Sequence, residues 1–193
     1  MRRGVAMSVM ENRVRSEAAA SATGRRAPLR SASSTGDELL SRLLQADPSQ
    51  EPGLLQRLDA LSPLQTVTLV KTGVRAGWVP PLASSLGMSR DRLYATLGLP
   101  RATMERRLAK DEPLSAEQSS RVLGIARLIG QVQAMLDESG TPAGFDAGAW
   151  VGRWLGEPVP ALGGRCPAEL MDTAEGQMLV ANLLARAQSG AYA

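Results

Sequence analysis

The sequence predicts an all-α fold, and three observations carry that expectation. Aromatic residues make up only 3% of the 193 residues, so the 44% hydrophobic content rests on Leu, Ala, Val and Met, mostly good helix formers. Apolar residues recur at the spacing of one helix face in segment after segment. Ser, Asp, Gly and Pro stand where helices would start and stop. No segment reads as a convincing strand, and none repeats another.

Taken in order, residues 1–36 hold many Arg, Ser and Ala and few large apolar side chains. They are expected to be a disordered basic extension, although the same bias would also suit a transit peptide. A helical lead-in spans 37–59. Within it, Leu39, Leu40, Leu43 and Leu44 share a face in Asp37–Ala46, Pro48 and Pro52 break it, and 53–61 form a further short helix. Ser62-Pro63 offers an N-cap and an N1 proline, with Leu64, Val67, Leu69 and Val70 following and Gly73 and Gly77 ending the helix. Pro80-Pro81 open a short helix that Gly87 closes. Ser89 caps another, in which Leu93, Tyr94 and Leu97 face inward, and Gly98 turns the chain. Pro100 opens a helix reaching Lys110.

Ser115 and Gln118 have capping-box spacing and open the longest periodic segment. Its apolar positions are Val122, Leu123, Ile125, Ala126, Leu128, Ile129, Val132 and Leu136, and Gly140-Thr141-Pro142 end it. A helix over 146–155 carries Trp150 and Trp154 one turn apart, read as core. Pro158 and Pro160 predict an extended loop, 167–171 one helical turn, and Asp172 with Glu175 the cap of a last helix to about Gln188. Arg165 and Asp172 are expected to tie the short helix down by a salt bridge.

The composition excludes several chemistries. With no His and a single Cys, Cys166, the chain can form no internal disulfide, no ordinary zinc site and no Ser-His-Asp triad. The lone thiol fits a reducing cytoplasm. Nothing approaches the roughly 18 apolar residues of a membrane span. The net charge of +3 is uneven. Residues 1–36 carry seven Arg and two Glu, residues 88–110 six bases and two acids, and residues 131–193 three bases and seven acids. A basic island of this kind points to nucleic acid; a solvated basic face is the plainer alternative.

Residues 89–110 contain the parts of a helix-turn-helix: helix, Gly-containing turn, helix. With Met104 and Leu108 inward, Ala102, Thr103, Arg106, Ala109 and Lys110 lie on the opposite face of the second helix. Arg101, Thr103 and Arg106 are the candidates for base contacts. Arg107 and Lys110, with Arg90 or Arg92 on the first helix, are the candidates for phosphate contacts. An ordinary helical hairpin with a wet basic face is the competing reading. Further on, Pro160-Ala161-Leu162-Gly163-Gly164-Arg165 lacks the Lys-Ser/Thr and the preceding strand of a phosphate loop. It is a tight turn in which Gly163 and Gly164 supply positive φ.

The run Leu97-Gly98-Leu99-Pro100-Arg101-Ala102-Thr103-Met104-Glu105-Arg106-Arg107-Leu108 and the Pro-Leu-Ser-Ala-Glu-Gln-Ser at 113–119 resemble the helix-turn-helix of Xre/MbcA/ParS-like antitoxins, bacterial proteins that neutralise a RES-domain toxin. The order Trp154, Pro160-Ala161-Leu162-Gly163-Gly164-Arg165, Pro167-Ala168-Glu169-Leu170, Asp172-Thr173-Ala174-Glu175-Gly176, Gly190-Ala191-Tyr192-Ala193 is similar to that family's C-terminal half. Val159 stands where Asn is usual, and Cys166 where Ser or Thr is. The resemblance covers about 60–193. It implies an Xre-like helix-turn-helix and dimerisation module at 60–130 and a toxin-binding module with a tail at 131–193.

The partners implied are a RES toxin, which consumes NAD or transfers ADP-ribose from it, and operator DNA. The chain would act as a homodimer within a hetero-oligomeric complex. The tail would reach toward the toxin's NAD site, so Arg186, Gly190, Ala191, Tyr192 and Ala193 are the expected toxin contacts. No cofactor, metal or catalytic residue is expected. A plain regulator with a dimerising or ligand-sensing C-terminal half is the alternative. An enzyme using carboxylates or Cys166 finds no support, because no titratable pair stands out from the capping pattern.

Overall fold

The structure, a computed structural model, describes residues 32–47, 50–51, 53–139 and 144–188. Its α-helices are α1 (Ala32–Gln45), α2 (Pro63–Thr72), α3 (Val79–Ser85), α4 (Arg90–Thr96), α5 (Arg101–Lys110), α6 (Ala116–Ser139), α7 (Ala147–Trp154) and α8 (Ala174–Gln188). Short 3-10 segments fall at Leu54–Ala60, Ala76–Trp78, Pro160–Leu162 and Pro167–Leu170. Among the described residues there is no strand, only an isolated antiparallel bridge between Arg75 and Pro113. The all-α expectation holds. No described helix is long and apolar enough to cross a membrane.

The starts follow local chemistry. Ser62 Oγ accepts from Gln65 N, and Gln65 Oε1 accepts from Ser62 N at 2.8 Å, with Pro63 at N1. Ser115 and Gln118 make the same reciprocal pair. Ser89 caps α4 and Asp146 caps α7. Cys166 stands at the N-cap of Pro167–Leu170, where its N–H donates to Glu169 Oε1 at 3.0 Å and its thiol to the Gly156 carbonyl at 3.4 Å. It thus fills the capping position of a Ser or Thr. Gly163 and Gly164 have φ of 67° and 82°, the positive values the turn requires.

Several expectations are corrected. α1 begins at Ala32, not Asp37, so the end of the basic stretch 1–36 is helical. Gly36 is buried against Gln65, whose Nε2 donates to Asp37 Oδ1 at 2.6 Å, and this contact anchors the earlier start. Residues 1–31 lie outside the described residues. The cap of α8 is Thr173, whose Oγ1 accepts from Gly176 N at 3.1 Å; Asp172 lies one residue too early. Residues 160–162 curl into a 3-10 turn, because Gly163 N donates back to Pro160 O. Arg165 is exposed and forms no ion pair with Asp172 among the described residues. The loop is closed instead by backbone bonds of Val159 with Arg165 and Gly164. Leu54–Ala60 is a 3-10 segment kinked at Arg57.

α6 is the axis of the packing. Its predicted inward positions, Val122 through Leu136, are all buried, and Met135 joins them. The 3-10 segment Leu54–Ala60 and helices α2, α7 and α8 pack along it in one hydrophobic cluster. Residue 130, where the sequence reading divides two modules, therefore falls inside a continuous helix. Trp150 and Trp154 are only half-buried. They stack with ring centroids 5.7 Å apart, so they edge the core rather than fill it. The fully buried aromatics are Trp78 and Tyr94. Trp78 Nε1 donates to the Leu43 carbonyl at 3.2 Å, fastening α1 to the turn before α3.

α7 crosses the end of α3 at glycine distance. A methyl on Gly148 would stand 2.5 Å from the Ser85 carbonyl oxygen, and one on Gly152 would overlap the Leu86 carbonyl. Backbone cannot move aside as a side-chain tip can, so Gly152→Ala is expected to lower stability by about 2–3 kcal/mol or more through overpacking. At Gly156 the nearest atom is the movable Nη2 of Arg92, and Gly156→Ala should cost less than about 1 kcal/mol. Thermal or urea denaturation of the two variants tests the contrast; equal effects would refute the close crossing.

Candidate nucleic-acid interface and C-terminal surface

The helix-turn-helix is α4, the turn Leu97–Pro100 and α5. Leu97 and Leu93 are buried below the turn, and Gly98 passes it with φ of 58°. Leu99 N donates to Tyr94 O at 2.8 Å, closing the end of α4. Arg121 on α6 supports this turn. Its Nη1 donates to Leu97 O (3.2 Å) and Gly98 O (2.9 Å), and its Nη2 pairs with Glu117 at 2.6 Å. Cations at helix C-termini satisfy orphan carbonyls and oppose the helix dipole. Sequence reasoning missed Arg121; the signal was an Arg four residues after Glu117, at ion-pair spacing on the helix.

α5 ends at Asp111, which adopts the left-handed conformation with φ of 49°. Asp111 is paired with Arg75, whose Nη1 also donates to the Ala46 carbonyl at 3.1 Å. The Arg75–Pro113 bridge then fixes the following residues, with Ala76 N bonded to Glu112 O and Leu114 N to Val74 O. Beneath it the buried Ser119 Oγ accepts from Val74 N at 3.0 Å.

Met104 is buried and Leu108 half-buried, so α5 presents Arg101, Ala102, Arg106, Ala109 and Lys110 outward, as the rotational argument requires. Thr103 lies half-buried at the edge of that face. Arg107, expected to contact phosphate, instead turns inward. Its Nη1 donates to the Pro113 carbonyl, and its Nε is buried with no partner among the described residues. The cause is its position on the flank of α5, within reach of the bridged loop.

Four of the remaining bases are paired on the protein. Arg101 meets Asp91 at 2.9 Å and Arg90 meets Glu105 at 3.3 Å. Glu112 receives Arg106 at 3.3 Å and Lys110 at 3.8 Å. Arg92 is exposed and lies against Gly156.

The C-terminal elements lean on this unit. Asp172 packs across Gly98, where a methyl would stand 3.0 Å from its Cβ. The buried Gln177 amide donates to Arg121 O (3.1 Å) and Met171 O (2.8 Å) and fills the space left by Gly124. α8 buries Val180, Leu183 and Leu184, yet leaves Met178 61% and Leu179 52% exposed. At 100° per residue, Glu175, Met178, Leu179, Asn182 and Arg186 form one outward stripe, and all five are exposed. The helix thus has more apolar residues than one face can bury, a signal present in the sequence and not read there. Gly190, Ala191, Tyr192 and Ala193 lie outside the described residues.

A second apolar surface lies on α2, where Leu64 is 77% and Val67 46% exposed. Other residues of α2, Pro63 and Thr66, line a groove of about 570 Å³ whose walls also include Leu58, Leu61, Ala134, Met135 and Arg127. Burial holds the Arg127 guanidinium below its usual pKa.

These features define a class: a helix-turn-helix protein whose C-terminal helices are packed onto the helix-turn-helix and carry an exposed apolar pair. Residues 65–127 match the antitoxin Xre-like helix-turn-helix domain, and residues 143–190 match the antitoxin Xre/MbcA/ParS C-terminal toxin-binding domain. A Sphingobium protein named Prs ADP-ribosylating antitoxin is 42% identical over 142 residues, covering 74% of this chain and 89% of the relative. Proteins named Antitoxin Xre from Pseudomonas putida and Yersinia enterocolitica are 24% and 25% identical. The first alignment covers 71% of this chain and 79% of the relative, the second 65% and 80%. The chain belongs to the Xre/MbcA/ParS antitoxin family.

One part-buried contact ties the two helices of the helix-turn-helix together. The Tyr94 hydroxyl donates to Glu105 Oε1 at 3.1 Å, joining α4 to α5. Burial, then the Glu105 charge and hydrogen bond, push the Tyr94 pKa up from 10.0 to about 12. The folded state therefore holds the phenol proton after the unfolded chain has released it. The stabilisation is complete below pH 10 and is lost as pH rises toward 12. Tyr94→Phe is expected to cost about 1–2 kcal/mol at pH 8 and to show a shallower alkaline fall in stability. Denaturant titrations across that range test it; parallel wild-type and Tyr94→Phe profiles would refute the coupling.

Proposed function

We propose that this protein neutralises a RES-domain toxin, one that consumes NAD or transfers ADP-ribose, by binding it and occluding its active site. The observation that carries this reading is the exposed Met178–Leu179 pair on α8, inside the region matching the toxin-binding domain. An apolar pair ringed by Glu175, Asn182 and Arg186 has the anatomy of an interface core with a polar rim. The name of the Sphingobium relative supports an ADP-ribosylating toxin. In this reading Arg186 belongs to the rim, and Gly190, Ala191, Tyr192 and Ala193 extend the contact toward the toxin's active site. The chain acts in the bacterial cytoplasm by binding rather than by catalysis.

The same protein represses its own promoter through α5, with Arg101, Thr103 and Arg106 toward the bases and Lys110, Arg90 and Arg92 toward phosphates. It does so as a homodimer, because paired helix-turn-helix units read palindromic half-sites. Leu64 and Val67 beside the α2–α6 groove suit a two-fold contact, which needs a patch and its complement on one surface.

Met178→Asp combined with Leu179→Asp is expected to abolish protection of cells expressing the toxin while leaving promoter binding intact, and deletion of 189–193 to weaken protection. Arg106→Ala should do the reverse, costing about 1–3 kcal/mol of promoter affinity without loss of protection. Growth assays beside anisotropy titrations decide; full protection by both C-terminal variants would overturn the reading. Leu64→Asp should convert a dimer to a monomer in light scattering, and an unchanged mass would move the dimer contact elsewhere.

A further inference from the structure

The cations facing outward from α5 are each met by a carboxylate. Arg101 is held by Asp91, from the first turn of α4. Arg106 and Lys110 share Glu112, one on each carboxylate oxygen. Glu112 is itself fixed in place: its N–H bonds to Arg107 O at 2.9 Å, and its carbonyl accepts from Ala76 N at 3.1 Å. The two carboxylates thus stand where DNA phosphates would otherwise gather the same side chains.

We propose that Asp91 and Glu112 are specificity-determining residues that act as internal phosphate surrogates and suppress sequence-independent binding to DNA. The proposal rests on the reading of α5 as the DNA-facing helix. Non-specific affinity comes almost entirely from cations that neutralise phosphates and release counterions. A cation already neutralised by a carboxylate releases fewer counterions, and the carboxylate repels the incoming phosphate. Exposed ion pairs are individually weak, so hydrogen bonds to base edges at a matched operator can replace them. A random duplex offers only phosphates in exchange. The pairs therefore lower non-specific binding more than specific binding.

The test uses the full chain with two duplexes of equal length, its own promoter DNA and a scrambled sequence, titrated by fluorescence anisotropy over a salt series. Asp91→Asn and Glu112→Gln are expected to tighten binding to the scrambled duplex by roughly 3- to 10-fold each, and to steepen its salt slope by about one unit. Promoter affinity should rise less, so the ratio of the two falls. Glu38→Gln, the same charge change at an exposed position on α1, should leave the scrambled duplex unaffected. Melting curves confirm that each variant is folded. Folded Asp91→Asn and Glu112→Gln proteins that bind scrambled DNA like the wild type, or like Glu38→Gln, would overturn the proposal. If neither wild type nor variants bind either duplex, the DNA-facing assignment of α5 itself fails and the proposal with it.

Discussion

The crossing of α7 over the end of α3 is a backbone-to-backbone contact that fixes where α7 lies on the core centred on α6. Gly148 and Gly152, one turn apart, bring the α7 backbone against the carbonyls of Ser85 and Leu86. Interiors pack as densely as organic crystals, so a backbone-to-backbone approach has no slack. From that fixed crossing α7 sets Leu155 into the core, and the chain continues through Cys166 and Thr173 into α8. The helix-turn-helix and the C-terminal helices share one hydrophobic core around α6 rather than forming two beads on a linker.

That shared core also links the turn of the helix-turn-helix to the C-terminal elements. Arg121 holds the turn of the helix-turn-helix by its side chain, and through its carbonyl receives the amide of Gln177 on α8. Asp172 rests on Gly98 of the same turn. Each of these contacts joins an element of the matched toxin-binding domain to the turn of the helix-turn-helix within a few bonds. The stripe of Met178 and Leu179 faces away from this junction, because Gln177 and Val180 take the inward positions of α8. The helix thus displays one apolar pair to solvent while burying its other large apolar residues.

Charge on the helix-turn-helix is also decided by packing. Six bases lie on α4 and α5, yet Arg107 is drawn inward by the Pro113 carbonyl, Asp91, Glu105 and Glu112 meet Arg101, Arg90, Arg106 and Lys110, and Arg92 stays exposed. Counting charges along the chain gives a basic island; folding it returns a surface most of whose cations are already engaged. Asp91 and Glu112 reach those cations only because the α4–α5 turn and the Arg75–Pro113 bridge fold back on α5.

The all-α class, the caps at Ser62, Ser89 and Ser115, the buried face of α6 and the positive φ at Gly163 and Gly164 were legible in sequence. Each depends on residues within a turn or two of one another, where helix periodicity and capping chemistry act alone. The family was legible as well, because its motifs are runs of consecutive residues. Tertiary structure decided the rest. Trp78 became core and the Trp150–Trp154 pair an edge, since burial depends on what lies opposite. Arg107 became a loop fastener and Arg121 a support of the turn, through partners six and more than twenty residues away. Leu64, Val67, Met178 and Leu179 remained outside because one helix face alone can meet the core, and only the three-dimensional packing selects which face that is.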